Sequence, residues 1–180
     1  VYRDTIFEVD LTPNRSDATC HIGVAKDLAA YLTIHKGEQY RFHSSIEEDV
    51  FIEQKDKTIK VLIEDTIACP RYSGISITGV TVAPSPDWLQ NRLKAIGVKS
   101  INNVVDITNY VLHAYGQPLH AFDYDQIGSD TIRVKKLASG TPFLCLDSTE
   151  RLLNQDDLMI CNGLSVPLCI GGVFGGLHSG

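Results

Sequence analysis

Ser100-Ile101-Asn102-Asn103-Val104-Val105-Asp106-Ile107-Thr108-Asn109-Tyr110-Val111-Leu112-His113-Ala114-Tyr115-Gly116 runs on into Gln117-Pro118-Leu119-His120-Ala121-Phe122-Asp123, and its first part reads as a helix. Val104, Val105, Thr108, Val111, Leu112 and Tyr115 recur at helical spacing, which gives one apolar face. Gly116 follows where a residue in the left-handed region would close the last turn. Beyond it Pro118 fixes the backbone, and His120 stands in a short apolar stretch, expected as a strand, between Leu119 and Ala121. A rigid backbone beside a polar ring can form a small pocket; a satisfied core histidine fits the same residues.

N-terminal to this stretch, residues 5–9 read as a strand and Thr12-Pro13-Asn14 as a turn, after which Ser16 or Asp17 can cap a helix. Ile22, Ala25, Leu28, Ala29 and Leu32 give that helix an apolar face. Residues 36–49 are polar and without period, as a linker would be. From Lys57 the period becomes that of strands, over 59–64 and then 75–82, where alternation predicts one wet face. Ser85-Pro86-Asp87 has the capping residue, proline and acid of a helix start, and Gly97 ends that helix. Further strands are expected over 132–137, 143–146, 158–161 and 166–170, with Ser148-Thr149 and Asn162-Gly163 at turns.

The expected class is therefore α+β: a strand-rich, layered domain with flanking helices, preceded by a small helical piece. The expected division is 1–35 for that piece, 36–56 for a linker and 57–180 for the strand-rich domain.

With 180 residues, 43% of them hydrophobic, the chain can bury a core. Its net charge of -6 argues against a broad nucleic-acid-binding face, since such affinity rests on many Lys and Arg contacts to phosphate. Arg133, Lys135 and Lys136 form the one dense basic stretch, readable as a local RNA contact or as a solvated strand face. No apolar run is long enough to span a membrane, and a soluble, cytoplasmic parent protein is expected. Cys20, Cys69, Cys145, Cys161 and Cys169 share no CxxC spacing and read as buried reduced thiols; the histidines lack HxxxH or HExxH spacing, so no metal site is expected. Gly171-Gly172-Val173-Phe174-Gly175-Gly176 has neither the GxGxxG nor the GxxxxGK[ST] spacing of a phosphate cradle. Such glycines serve a structural bend or the close approach of a ligand to the backbone.

The stretch from Ser100 to Asp123 closely resembles the editing domain, called B3/B4, of bacterial phenylalanyl-tRNA synthetase beta subunits. Glu8-Val9-Asp10-Leu11-Thr12-Pro13-Asn14-Arg15-Ser16-Asp17 is similar to the second half of that subunit's first small domain, and residues 171–180 to the glycine-rich wall of its editing pocket. Cys69-Pro70-Arg71-Tyr72 and Pro86-Asp87-Trp88-Leu89 fall between them in the family's order.

The resemblance implies an enzyme function, hydrolysis of tyrosine wrongly attached to phenylalanine tRNA. By matching motifs, Pro118, His120 and Ala121 would line the amino-acid pocket, Thr108 and Asn109 its polar side, and Gly172 and Gly175 its backbone wall. His120 would position the reactants, with no catalytic acid or base assigned. Lys99 stands where the family often has Arg, which turns a bidentate contact into a point charge. The family's tyrosine-reading Glu falls beyond residue 180, so the chain would hold part of the pocket. Aminoacylation with ATP and magnesium belongs in the family to the alpha subunit of an alpha2-beta2 complex; no cofactor is expected in these residues. Two other functions fit the chain, a tRNA- or subunit-docking module that cleaves nothing and a free-standing hydrolase of mischarged tRNA.

Overall fold

The computed structural model describes residues 2–43 and 58–178. Packing divides the chain into two units, one from the described residues of Val1–Phe51 with Thr81–Leu119, the other from those of Ile52–Val80 with His120–Gly180. The division expected from sequence ran along the chain. Packing groups residues 81–119 with the N-terminal segment, and the expected linker lies outside the described residues from residue 44 onward.

The first unit is helical. A 3-10 turn at Ser16–Ala18 precedes α1, His21–Lys36. Neither Ser16 nor Asp17 caps α1: Asp17 is drawn to Arg15, whose guanidinium holds both Asp17 and Asp27 at 3.0 Å, and the helix starts after an extended Cys20. Gly23 lets the turn cross the helix closely, because a Cβ there would collide with the Asp17 carbonyl. The expected apolar face of α1 is only partly covered, Leu28 remaining 54% exposed.

Helix α2, Asp87–Ala95, buries Leu89 and Leu93. Pro86 is its N-cap, and the Ser85 hydroxyl, the expected cap, points to Asp106. The left-handed Gly97 (φ 79°) closes α2: its N–H donates to the Lys94 carbonyl at 3.0 Å, and the Val98 N–H to the Leu93 carbonyl at 2.9 Å. Helix α3, Asn103–Tyr115, lies where the apolar spacing after Ser100 placed it. The Val105 N–H donates to the Asn102 side chain at 2.9 Å, and Gly116 (φ 74°) ends the helix. Trp88 of α2 meets Tyr110 of α3 edge-on at 5.7 Å.

The second unit is built on a mixed five-stranded sheet with the order β1-β2-β5-β6-β7, beside a β3-β4 hairpin. The strands are β1 (Lys60–Ile63), β2 (Thr131–Lys136), β3 (Pro142–Leu144), β4 (Glu150–Leu152), β5 (Leu158–Asn162), β6 (Pro167–Ile170) and β7 (Phe174–Gly175). Only β1 and β2 pair in parallel. Buried side chains alternate along β5 between two clusters: Met159 and Cys161 join Phe143, Cys145 and Leu153, whereas Ile160 joins Ile127, Ile132, Leu168 and Cys169. A strand buried on both faces explains the unbroken apolar run Leu158-Met159-Ile160-Cys161. The short α4, Tyr124–Ile127, and β4 were not expected from sequence.

Three expected strands do not form. Residues 5–9 and 119–121 have no strand partner among the described residues. Over 75–82 the apolar positions switch parity at Gly79 (φ 73°), from Ile75 and Ile77 to Val80 and Val82, so no single face can be buried, and all four remain more than half exposed.

Candidate functional site

In the second unit His120 is held by the two residues C-terminal to Ala121. Phe122 packs on the cluster around Ile127 and Ile132, and Asp123 caps α4 by accepting from the Asp125 N–H at 3.0 Å. This anchors the chain just beyond His120, and the imidazole lies 4.5 Å from the Phe122 ring, tilted by 57°.

Two backbone segments pair beside that ring. Gly175 of β7 pairs with Cys169, and Gly176 bridges to Cys145. The Leu146 N–H donates to the Gly175 carbonyl at 3.0 Å and the Leu177 N–H to the Leu144 carbonyl at 3.0 Å, so residues 144–146 run against residues 175–177. A Cβ on Gly175 would stand 2.5 Å from His120 Cε1, 2.8 Å from Leu146 Cδ1 and 3.2 Å from His120 Nε2. The side-chain-free backbone is what lets the imidazole settle there.

His120 keeps more than a third of its surface open, yet burial of the rest pushes its pKa down. The ring is therefore neutral at pH 7, with one nitrogen a donor and the other an acceptor. Among the described residues neither nitrogen has a hydrogen-bond partner. A positioned imidazole with both nitrogens open can orient a water or a hydroxyl.

The other glycine of the expected wall differs. Gly172 sits in the left-handed region (φ 72°) with nothing within 4 Å of its absent Cβ, so its conformation serves the turn from β6 to β7. Ala121 is exposed.

The remaining expected residues belong to the first unit. Thr108 and Asn109 are half-buried on α3, the Thr108 hydroxyl donating to the Val105 carbonyl at 2.7 Å. The Asn109 amide has no hydrogen-bond partner among the described residues. Pro118 and Lys99 are exposed. Cavities of about 320 Å3, beside Arg15, Cys20, Lys26 and Tyr115, and about 260 Å3, beside Val9, Leu11, Leu28 and Tyr31, are lined by none of the expected site residues.

Leu146 and Asp106 are among the residues that sequence reasoning missed. Leu146, beside His120, carries no signal, since one Leu after a strand resembles any other. Asp106 is fully buried; the Ser85 and Ser100 hydroxyls and the Ile101 N–H, the last at 2.8 Å, all donate to its carboxylate. An acid among apolar residues in the first turn of α3 was the available signal.

The basic stretch is neutralised within its own unit. Glu64 holds Arg133 at 2.7 Å and Lys135 at 3.2 Å, and Lys136 lies 3.5 Å from Asp65, which favours the solvated strand face over an RNA contact. Among the described residues no helix is long and apolar enough to cross a membrane.

Residues 68–180 match the B3/4 domain family. The chain belongs to this family. His120, Gly175 and α3 all fall within the matched B3/4 residues. Over 98% of its length the chain is 53% identical to the phenylalanine–tRNA ligase beta subunit of Bacteroides thetaiotaomicron, covering 21% of that protein. It is 52% identical, over its whole length, to 22% of the corresponding subunit of Bacteroides fragilis, and 45% identical over 98% of its length to 21% of that of Geobacter sulfurreducens. The resemblance carried by Ser100 to Asp123 is borne out. The chain corresponds to a section of these beta subunits and spans about a fifth of their length.

Proposed function

We propose that this B3/4 domain edits: as part of a phenylalanine–tRNA ligase beta subunit, it hydrolyses tyrosine wrongly joined to phenylalanine tRNA. The observation that carries the reading is the neutral His120 ring seated over the bare backbone of Gly175, with both nitrogens open.

Such a site has a physical purpose. A synthetic pocket shaped for phenylalanine rejects an added hydroxyl by only roughly a hundredfold, whereas a second site that hydrogen-bonds the hydroxyl can reject phenylalanine by about 10⁴, because its polar groups would otherwise stay unpaired. His120 positions the attacking water or the terminal ribose hydroxyl and takes no proton of its own; orientation supplies the rate. Gly175, having no side chain, leaves the His120 ring the place from which it does so. Ala121 and Gly172 add to the wall on the His120 side. ATP and magnesium act in the alpha subunit, the beta subunit's partner in an alpha2-beta2 cytoplasmic complex, and these residues bind neither.

Deacylation of tyrosyl-tRNA by the assembled ligase tests the proposal. His120→Ala should abolish most of it while phenylalanine aminoacylation continues unchanged. An unaltered deacylation rate would refute the editing role and leave a docking module.

A further inference from the structure

We propose that Arg151 is a positioning residue for this site: it grips Asp147 with both terminal guanidinium nitrogens and lies over the Phe174 ring, locking together the two paired backbone segments beside the His120 ring. The consequence for activity rests on the editing reading above; the clamp itself rests on geometry.

Arg151 Nη1 donates to Asp147 Oδ1 at 3.0 Å and Nη2 to Oδ2 at 2.8 Å, a two-pronged pairing that fixes orientation as well as distance. Its Cζ stands 5.1 Å from the centre of the Phe174 ring. Asp147 follows Leu146 directly and Phe174 precedes Gly175 directly. The tips of Leu146 and His120 are the side-chain atoms nearest to the absent Cβ of Gly175. One side chain thus ties together the segments that carry Leu146 and Gly175.

The turn on which Asp147 sits needs such a tie. Ser148 is in the left-handed region (φ 61°), which side chains other than glycine seldom adopt. Asp147 also accepts from the Thr149 N–H at 3.0 Å, and the Cys145 N–H donates to the Thr149 carbonyl at 3.0 Å. The Arg151 guanidinium, followed by that Thr149 N–H, holds the Asp147 carboxyl well below the usual carboxylate range, so the pair stays charged at working pH.

A partly exposed ion pair contributes little to global stability. Its effect on position is another matter, since a displacement of about 1 Å at a reacting centre can cost on the order of 10²-fold in rate. The clamp therefore should show itself in turnover and scarcely in folding.

In the assembled ligase, Arg151→Met, which keeps an apolar contact with Phe174 but removes the fork, should lower kcat for tyrosyl-tRNA deacylation by about tenfold with KM little changed. Asp147→Asn should do the same, and the double variant should be no worse than either single one, because both remove one device. Arg151→Lys, a charge without a fork, should recover only part of the rate. Unchanged kcat in Arg151→Met, or losses that multiply in the double variant, would overturn the proposal. If the wild-type ligase deacylates nothing, the editing reading fails by itself. The clamp is then judged by NMR of the His120 ring in the same proteins: its Cε1–H signal should move in Arg151→Met, and an unmoved signal overturns it.

Discussion

The His120 imidazole fills the space that a side chain at position 175 would need, its Cε1 lying 2.5 Å from where that Cβ would be. Gly175→Ala must therefore push the ring or Leu146 aside, at a cost of about 1–3 kcal/mol of overpacking. Both obstacles are side-chain tips, so the fold should survive, and tyrosyl-tRNA deacylation should drop by about 10². Gly175→Val should drop it further. Gly172→Ala is the contrast: it meets no neighbour but must hold φ at 72°, so about 1 kcal/mol of stability should go with a smaller loss of activity. Chemical denaturation and single-turnover deacylation measured on both variants check the distinction.

His120 also marks the pH dependence of folding. Burial disfavours its charged form, so its folded pKa lies below the ordinary value of 6.5. As pH falls through about 6.5 the unfolded chain takes up the proton first, and the folded state loses stability until its own lower pKa is reached; above 6.5 the contribution is intact. Denaturation midpoints measured between about pH 7 and 5 should fall less steeply in His120→Gln than in the wild type. Equal slopes would mean that the ring is already fully solvated.

Thiol labelling tests the burial pattern. Burial raises Cys161 and Cys169 to about 11, and Cys145 has no exposed surface. Cys20 and Cys69 are partly open. At pH 8 an alkylating reagent should modify Cys20 and Cys69 within minutes and the other three only after unfolding, as read by peptide mass spectrometry.

The legible parts of this chain were those in which local and tertiary demands agree. Helix α3 has a capping Asn102, an apolar face and a closing Gly116, so its ends could be placed from sequence. The apolar run of β5 was visible as a strand, although not as one buried on both faces. Residues 75–82 misled because composition favours a strand while the parity change at Gly79 forbids one, and α1 because the acid that might have capped it is claimed by Arg15. The contact between His120 and Gly175 followed from motif resemblance; no local pattern reports a meeting across so many residues. Arg151 and Leu146 went unseen for that reason, since their meaning exists only once residues 144–146 lie against residues 175–177.

Asp106 carries the last test. It is buried in the first turn of α3, where burial raises its pKa, but the Ser100 and Ser85 hydroxyls and the Ile101 N–H more than offset this and leave it lowered. One carboxylate thereby joins α3 to the residue two before α2 and to the link between the helices. Asp106→Ala strands those donors, and leaving buried donors unpaired should cost about 3 kcal/mol. Asp106→Asn preserves shape and one acceptor and should cost less. The sign with pH is opposite to that of His120: the Asp106 contribution is present above about pH 4 and is lost as pH falls toward its lowered folded value. Acid unfolding of the wild type should therefore be steeper than that of Asp106→Asn below about pH 4, and parallel curves would show that folding leaves the pKa of this carboxyl unlowered.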